Sequence, residues 1–370
     1  MSELLNNQYV PDTVSPPGDT LLDVLEEHGM SQAELARRMG RPTKTINEIV
    51  RGKAAIMPET ALQLERVLAI PASFWNSREQ QYRQYLATVE EVTRLSQQIA
   101  WARQFPVKAM SALGWITDEL GEELDQVIHL LQFFGIATPK QWDAVWERPL
   151  VSYRKAKTFE SSPYALSAWL RQGERLAQNG GRVPYQKKAF RELLSGRIRA
   201  LTALPPAEFQ DELVKLSAEA GVTVLFLPQL PKARVSGATR WLSPDKPLIQ
   251  LSLRYKKDDH FWFTFFHEAG HILLHGKRNM FLETGQAAGE AEKEREEDAF
   301  AAKMLIPPEK LRQFVRDYMG NGRYPSHARV EIFAREIGVS PGIVVGRLQH
   351  DGHLPYSHLN KLKQTFVWGA

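Results

Sequence analysis

Cysteine is absent from the 370-residue chain. Disulfide bonds and thiolate metal ligands are therefore excluded, and any metal site has to use histidine, carboxylate or other oxygen ligands. A chain without cysteine is suited to a reducing compartment, so we expect a cytoplasmic protein.

Long hydrophobic runs are also missing. The longest apolar stretch, around Trp262, is much shorter than the ~20 residues that a membrane-spanning helix needs. Residues 1–8 lack the basic and apolar segments of a secretion signal, so no membrane partner is expected. The remaining composition, 43% hydrophobic and 24% charged, is typical of globular domains, and a net charge of +4 permits nucleic-acid binding without requiring it.

The motif His267-Glu-Ala-Gly-His271 places two histidines four residues apart, with Glu268 beside the first. On an α-helix these histidines share a face, so both imidazoles can bind one tetrahedral metal ion, most often zinc. Glu268 can then take a proton from metal-bound water. Apolar residues on both sides predict a buried helix, and Gly270 within it predicts a close backbone approach. We therefore predict a zinc site, with Glu268 as general base.

A third ligand has to come from elsewhere, and the acidic segment 292–306 is a second predicted helix, ended by Pro307. Glu294 and Asp298 lie one turn apart on one face of this helix. We predict that Glu294 completes a His-His-Glu site and that Asp298 orients a ligand imidazole. Glu297 lies near the same face and is the alternative third ligand.

The two motifs together resemble the ImmA/IrrE family of zinc metallopeptidases, whose usual form is HELGH followed by E-x-x-x-N/D-x-F-A-A-x-L-L-M-P. The resemblance covers residues 205–308. It implies a gluzincin-like site and, in several members of the family, cleavage of a DNA-binding repressor. This chain departs from the family pattern at two positions, with Ala269 where leucine or isoleucine is common and Glu297 where alanine is common. These departures leave the ligand set intact and concern only substrate preference.

The segment before the metal motif predicts a small sheet. Residues 222–227 form one β run, and residues 235–242 and 247–252 form a hairpin around the turn 243–246. An edge strand beside the metal helix can bind an extended peptide, so a protein substrate is expected. A tyrosine or histidine commonly stabilises the oxyanion in zinc peptidases, and the sequence leaves five candidates open. These are Tyr255, His275, Tyr324, His327 and His350.

The amino-terminal part predicts a helix-turn-helix module of four short helices. Ser31 caps a helix over residues 32–39 that Gly40 ends, and the next helix begins at Pro42 or Thr43. The pattern S-Q-x-x-L-A-x-x-x-G-x-x-x-x-T-I-x-x-I resembles the xenobiotic-response-element domain, which is lambda-repressor-like, and the run from Gly40 most resembles HigA-type antitoxin repressors. This resemblance covers residues 18–75. It implies a homodimer on double-stranded operator DNA, with the helix near Thr43 in the major groove.

The predicted reading helix has Ile46 and Ile49 in the core, so the remaining side chains face outward. The candidates for base contact are Lys44, Thr45, Asn47 and Glu48. The candidates for phosphate contact are Gln32, Thr43, Arg51 and Lys53. Basic residues cluster around this edge with Glu48 the only acid among them, which favours DNA binding over a protein-interaction module. The basic residues are Arg37, Arg38, Arg41, Lys44, Arg51 and Lys53.

These features predict a multidomain, mainly α chain with a small α+β zincin-like catalytic domain. The predicted parts are a flexible lead-in (1–18), the helix-turn-helix domain (19–75), a helical middle region (76–204), the peptidase domain (205–308) and a helical carboxyl-terminal region (309–370). We expect a transcriptional regulator whose zinc endopeptidase, active or latent, cleaves a repressor or antitoxin. The alternative is a HigA-like antitoxin or repressor whose zinc domain is structural or sensory, although such a site would not need Glu268.

Overall fold

The computed structural model of the chain describes residues 14–117, 121–147, 161–178, 183–252, 254–275, 287–319 and 323–366. The chain divides into two compact units, Met1–Gln98 and Ile99–Ala370. Each unit has its own hydrophobic core. None of the helices in the described ranges is long and apolar enough to cross a membrane. Most of the predicted lead-in, residues 1–13, lies outside the described residues.

The first unit is built from helices alone. They are α1 (Pro17–Glu27), α2 (Gln32–Met39), α3 (Thr43–Val50), α4 (Pro58–Leu68) and α5 (Ala72–Ser96). The predicted limits of α2 and the predicted start of α3 are confirmed. The limits of α2 depend on two local signals. Ser31 Oγ accepts a hydrogen bond from the Glu34 amide at the start of α2, and Gly40 takes a left-handed conformation at its end.

α1 packs closely against α3 and is hydrogen-bonded to α5. A Cβ on Gly18 of α1 would lie only 2.2 Å from the Val50 carbonyl oxygen at the end of α3. The Arg78 guanidinium of α5 donates hydrogen bonds to Ser15 and to Thr20 of α1. The long helix α5 is therefore part of the first unit.

The second unit surrounds a three-stranded sheet with helices. Those before the sheet are α6 (Ile99–Ala102), α7 (Val107–Ala112), α8 (Glu123–Phe134), α9 (Pro139–Trp142), α10 (Pro163–Ala177), α11 (Lys187–Leu193) and α12 (Pro206–Glu219). Those after it are α13 (Asp258–Leu274), α14 (Ala287–Leu305), α15 (Pro308–Tyr318), α16 (His327–Ile337) and α17 (Pro341–His350). Turns of π-helix follow α9 and α11, at Asp143–Glu147 and Leu194–Ile198. Short 3-10 turns lie at Leu201–Ala203 and Asn360–Leu362.

The sheet has the strand order β1-β3-β2. Its strands are β1 (Thr223–Phe226), β2 (Gly237–Ser243) and β3 (Lys246–Leu251). The predicted hairpin is confirmed, since β2 and β3 pair antiparallel with Thr239 opposite Ile249. β1 pairs in parallel with β3, with Val224 opposite Ile249. β2 is therefore an edge strand of this sheet.

One face of the sheet is covered by α10, which belongs to the predicted middle region. The Gln250 side-chain amide donates a hydrogen bond to the Trp169 carbonyl at 3.1 Å, and Arg240 Nη1 donates to the Leu170 carbonyl at 3.4 Å. A Cβ on Gly173 of α10 would lie 2.0 Å from Gln250 Cδ, so helix and strand are in close contact. This part of the middle region packs within the second unit.

The other face of the sheet packs against α13, which lies in the centre of the core. Trp262, Phe265 and Phe266 of α13 are fully buried, as predicted for the metal helix. The carboxyl-terminal region shares this core through side chains such as Phe314 and Val344. The core therefore continues past residue 308.

The amino-terminal end of α13 is held by the last segment of the chain. The Asp258 carboxylate accepts a hydrogen bond from Ser340 Oγ at 2.7 Å and another from the Gln364 amide at 3.1 Å. Its neighbour Asp259 forms an ion pair with Lys363 at 2.6 Å. These contacts join α13 to α17 and to the chain that follows it.

Candidate metal centre and nucleic-acid interface

Helices α13 and α14 lie side by side and bring the histidines of one against the carboxylates of the other. Gly270 permits the close approach. A Cβ at this position would lie 3.2 Å from the Phe300 ring and 3.3 Å from Glu297 Cγ. The close backbone approach predicted from Gly270 is confirmed.

A cluster of two histidines and two glutamates results from this packing. The possible ligand atoms of His267, His271, Glu294 and Glu297 all lie within 4.8 Å of one another. His267 Nε2 is 3.4 Å from Glu294 Oε2, and His271 Nε2 is 3.9 Å from Glu294 Oε1. Two ligands of one tetrahedral zinc ion lie about 3.3 Å apart, given bonds of ~2.0–2.1 Å. The two Nε2 atoms and the Glu294 carboxylate therefore fit both the spacing and the ligand chemistry of zinc.

The other nitrogen of each imidazole faces a different carboxylate. His267 Nδ1 is 2.8 Å from Asp298 Oδ1, and His271 Nδ1 is 2.7 Å from Glu297 Oε1. A carboxylate at Nδ1 orients the ring and leaves Nε2 for the metal. The 2.7 Å contact of Glu297 is also shorter than the ~3.3 Å between two zinc ligands. The geometry thus favours Glu294 as the third ligand, with Asp298 and Glu297 as orienting residues.

Glu297 also contacts a third histidine. Its Oε1 lies 2.7 Å from Nε2 of His275, the residue that follows α13, and the Glu297 side chain is fully buried. The sequence reasoning treated Glu297 only as an alternative ligand and missed this double contact. The available signal was the four-residue spacing from His271 to His275, which places both on one face of the helix.

Glu268, the predicted general base, is buried where α13 meets the edge strand β2. Thr239 Oγ1 donates a hydrogen bond to the Glu268 carbonyl at 2.9 Å. A Cβ on Gly237 would lie 2.9 Å from Glu268 Cγ and 2.6 Å from Thr264 Cγ2. The sequence reasoning did not single out Gly237 or Thr239, although a glycine within a strand often marks such a close approach.

The five candidate oxyanion donors lie in different places. His275 contacts the cluster through Glu297, while His350, at the end of α17, lines a cavity together with Asp298. The Tyr255 ring stacks on His260 in the first turn of α13, two turns before His267. The Tyr324 ring contacts His358, and His327 is exposed at the start of α16. Of the five, only His275 has a described contact within the cluster.

In the first unit, α2 and α3 form the pair of helices expected of a helix-turn-helix. Ile46 and Ile49 are buried, as predicted. All eight predicted DNA-contact residues are exposed or half-buried, and Asn47 Nδ2 donates a hydrogen bond to Gln32 Oε1 at 3.4 Å. An amide nitrogen has two hydrogens, so this bond can orient Asn47 while it still reads an adenine. The eight residues are Gln32, Thr43, Lys44, Thr45, Asn47, Glu48, Arg51 and Lys53.

Two acids partly offset the basic cluster at this edge. Glu48 lies 3.8 Å from Lys44 one turn away on α3. Glu34, which the sequence reasoning did not include in the cluster, accepts hydrogen bonds from Arg37 and Arg38. The ion pairs are exposed and therefore weak, so the cations stay accessible to phosphates.

Comparison with known proteins finds a family match within each unit. The peptidase family described as the IrrE N-terminal-like domain matches residues 218–349, and a helix-turn-helix family matches residues 21–75. The uncharacterised HTH-type transcriptional regulator YddM of Escherichia coli (strain K12) is 36% identical over 59 residues, which is 16% of this chain. The chain spans 63% of the length of that relative.

Two solved structures are similar to a short part of the chain. Pseudomonas aeruginosa antitoxin HigA with the higBA promoter shares 30% identity and covers 22% of this chain and 90% of its own, with a TM-score of 0.22. A HigA-family addiction-module antidote protein from Coxiella burnetii shares 24% identity and covers 23% and 92%, with a TM-score of 0.21. This chain therefore combines an amino-terminal segment that matches a helix-turn-helix family with a later segment that matches the IrrE N-terminal-like domain of a peptidase family.

Proposed function

We propose that this protein is a DNA-binding transcriptional regulator that carries a zinc-dependent endopeptidase. The observation that carries the proposal is the convergence of two imidazole Nε2 atoms and the Glu294 carboxylate beside the buried Glu268. A structural metal site needs only its ligands, whereas this helix also keeps an acid next to His267.

The residues that would hold zinc are His267, His271 and Glu294, with Asp298 and Glu297 holding the two rings in place. Zinc bound there would polarise a scissile carbonyl and lower the pKa of a water molecule. Glu268 would accept a proton at its carboxylate and then pass it to the leaving amine. Burial of Glu268 keeps bulk water from competing for that proton.

A protein substrate fits the position of β2. An extended peptide can add to this edge strand by backbone hydrogen bonds, and it would then lie beside Glu268, where Gly237 and Thr239 contact α13. The sequence resemblance to the ImmA/IrrE family favours a repressor or antitoxin as the protein that is cut.

The first unit would bring the protein to an operator. In this proposal α3 lies in the major groove of double-stranded DNA, Lys44, Thr45, Asn47 and Glu48 face the bases, and two copies of the chain read two half-sites. Four residues would contact phosphates and set the register without reading sequence. They are Gln32, Thr43, Arg51 and Lys53.

Two variants test the peptidase proposal. The parent protein, loaded with zinc, is incubated with the products of neighbouring genes, and we expect one specific cut. His267→Ala should lose both the zinc and the cut, whereas Glu268→Gln should keep the zinc and lose the cut. If Glu268→Gln regulates transcription like the parent and the parent cuts none of these proteins, the zinc domain is structural or sensory and the protein is a HigA-like repressor.

A further inference from the structure

A groove beside the metal centre is lined by α13, α14, α15 and the end of α17. It consists of two cavities of about 710 Å³ and 240 Å³. Pockets that bury ligands of drug size have volumes of about 300–1,000 Å³, so the larger cavity can hold several side chains. Five residues line both cavities, so the two cavities are parts of one groove. These are Phe263, Ala302, Ile306, Arg347 and His350.

The floor of the groove is apolar. Phe263 of α13, Ala302 and Ile306 of α14, and Leu311 and Val315 of α15 all contribute to it. Burial of apolar side chains against such a floor contributes about 25 cal/mol for each Å² removed from water. The groove therefore favours a ligand with an apolar face of its own.

The rim of the larger cavity is cationic. Lys303 extends from α14, and Arg312 and Arg316 lie one turn apart on α15. All three side chains are exposed. In the part of the chain that the structure describes, only one carboxylate pairs with any of them. It is the exposed Asp317, which lies 3.6 Å from Arg316. The rim therefore keeps most of its positive charge.

The acids that line the groove already have cationic or imidazole partners. Asp351 pairs with Arg347 at 2.8 Å. Asp259 pairs with Lys363 at 2.6 Å, and Asp298 contacts His267 Nδ1 at 2.8 Å. These acids do not neutralise the cations of the rim, so the groove as a whole attracts negative charge.

The groove adjoins the metal centre directly. Asp298 lines the larger cavity and also orients His267. Phe263 lies one turn before His267 on α13, and the centres of their rings are 6.4 Å apart. A polypeptide that crosses the metal centre can therefore continue into the groove.

We propose that this groove binds an acidic segment of the protein substrate whose apolar side chains pack on the floor while its carboxylates face Lys303, Arg312 and Arg316. The proposal rests on the peptidase function for the identity of the bound protein. A small free anion is a poorer match, because exposed cations bind an isolated charge weakly, whereas several carboxylates on an apolar peptide combine both contacts. The groove thus selects substrates by charge as well as by shape.

The test measures binding without cleavage. Zinc-loaded full-length protein carrying Glu268→Gln is titrated into a fluorescein-labelled peptide in which glutamate and leucine recur at helical spacing, and fluorescence anisotropy gives the Kd. We expect this peptide to bind about tenfold more tightly than a counterpart with glutamine for glutamate, as three weak exposed ion pairs would produce. A counterpart with serine for leucine should also bind more weakly.

A groove variant and a matched control locate the binding. The groove variant adds Lys303→Gln, Arg312→Gln and Arg316→Gln, and it should lose the preference for the acidic peptide. The control removes the same charge from exposed positions of α11 and α16 that do not line the groove, and it should keep the preference. Its substitutions are Lys187→Gln, Lys188→Gln and Arg335→Gln.

Three outcomes of the binding measurements would overturn the proposal. Equal affinities for the acidic and glutamine peptides would remove the role of charge, and equal affinities for the leucine and serine peptides would remove the role of the floor. A control that loses as much as the groove variant would indicate diffuse attraction. If the peptide behaves as expected but the parent never cuts a protein, only the peptidase function fails. The remaining outcome concerns cleavage by a protein that has the three groove substitutions but keeps Glu268. If the parent cuts a repressor and this protein cuts it with the same kcat/KM, only the groove proposal fails.

Discussion

Glu297 Oε1 lies 2.7 Å from His275 Nε2, and the same oxygen lies 2.7 Å from His271 Nδ1. One buried carboxylate therefore holds both the second predicted ligand and the histidine that follows α13.

Replacement of Glu297 should weaken zinc binding. In Glu297→Ala, His271 loses the group that orients its ring, and the loss of such an orienting partner typically lowers metal affinity about 10–100-fold. Competition with a chelator of known affinity measures the change. Glu296→Ala is the control, because its exposed carboxylate is 3.7 Å from His275 Nε2 and, among the described residues, makes no contact with His271. Equal zinc affinity in Glu297→Ala and Glu296→Ala would contradict the orienting role.

Gly237→Ala should destabilise the junction of β2 and α13. The new methyl group would lie 2.6 Å from Thr264 Cγ2 and 2.9 Å from Glu268 Cγ, so the helix or the strand has to shift. We expect a loss of about 1–3 kcal/mol in the free energy of unfolding, measured with urea. Gly196→Ala is the control, since no described heavy atom outside its own helical neighbourhood lies within 4 Å of a Cβ there. Comparable losses in the two variants would refute the close contact.

The stability of the protein should depend on the titration of Asp258. Burial raises the pKa of this carboxyl to about 6, although the hydrogen bond from Ser340 opposes the shift. The folded state therefore binds the proton more tightly than the unfolded state. The resulting stabilisation is full below about pH 4 and is lost as the pH rises through about 6, by at most about 3 kcal/mol.

Urea unfolding at several pH values, with zinc removed, compares the parent with Asp258→Asn. From pH 4 to pH 7 the parent should lose stability relative to this variant. Asp317→Asn, at an exposed site on α15, should follow the parent at every pH. Parallel curves for the parent and Asp258→Asn would show that this carboxyl does not titrate as expected.

Arg51 and Lys53 should contribute to DNA affinity without regard to sequence. Each predicted phosphate contact releases counterions, so Arg51→Ala and Lys53→Ala should each weaken binding to a mixed-sequence duplex and reduce the slope of log K against log salt by about 0.9. Fluorescence anisotropy over a range of salt concentrations measures both quantities. Arg94→Ala, at an exposed position near the end of α5, should leave the slope unchanged. A slope that stays the same in Arg51→Ala and Lys53→Ala would rule out these contacts.

Features with a local cause could be predicted from the sequence. The limits of α2 depend on Ser31 and Gly40, and the shared face of His267 and His271 depends only on helical spacing. The spacing of His271 and His275 indicates only that both lie on one face of α13, so it does not predict that Glu297 contacts both, which depends on the distance between α13 and α14.

The position of α10 behind the sheet could not be predicted either. The residues that make this contact are far apart in the chain. Nothing in the sequence around Gln250 indicates that its side chain contacts Trp169 and Gly173. Long-range packing of this kind leaves no periodic pattern in the sequence.

The contact between α10 and the sheet determines how far the chain can be shortened. A recombinant fragment that starts at residue 205 or 218 keeps the whole metal cluster but loses the Trp169 and Leu170 carbonyls that accept from Gln250 and Arg240. The buried Leu248 side chain would then face water as well. Such a fragment should be poorly soluble, whereas one that starts at residue 99 retains the cover and is the better choice for preparing the second unit alone.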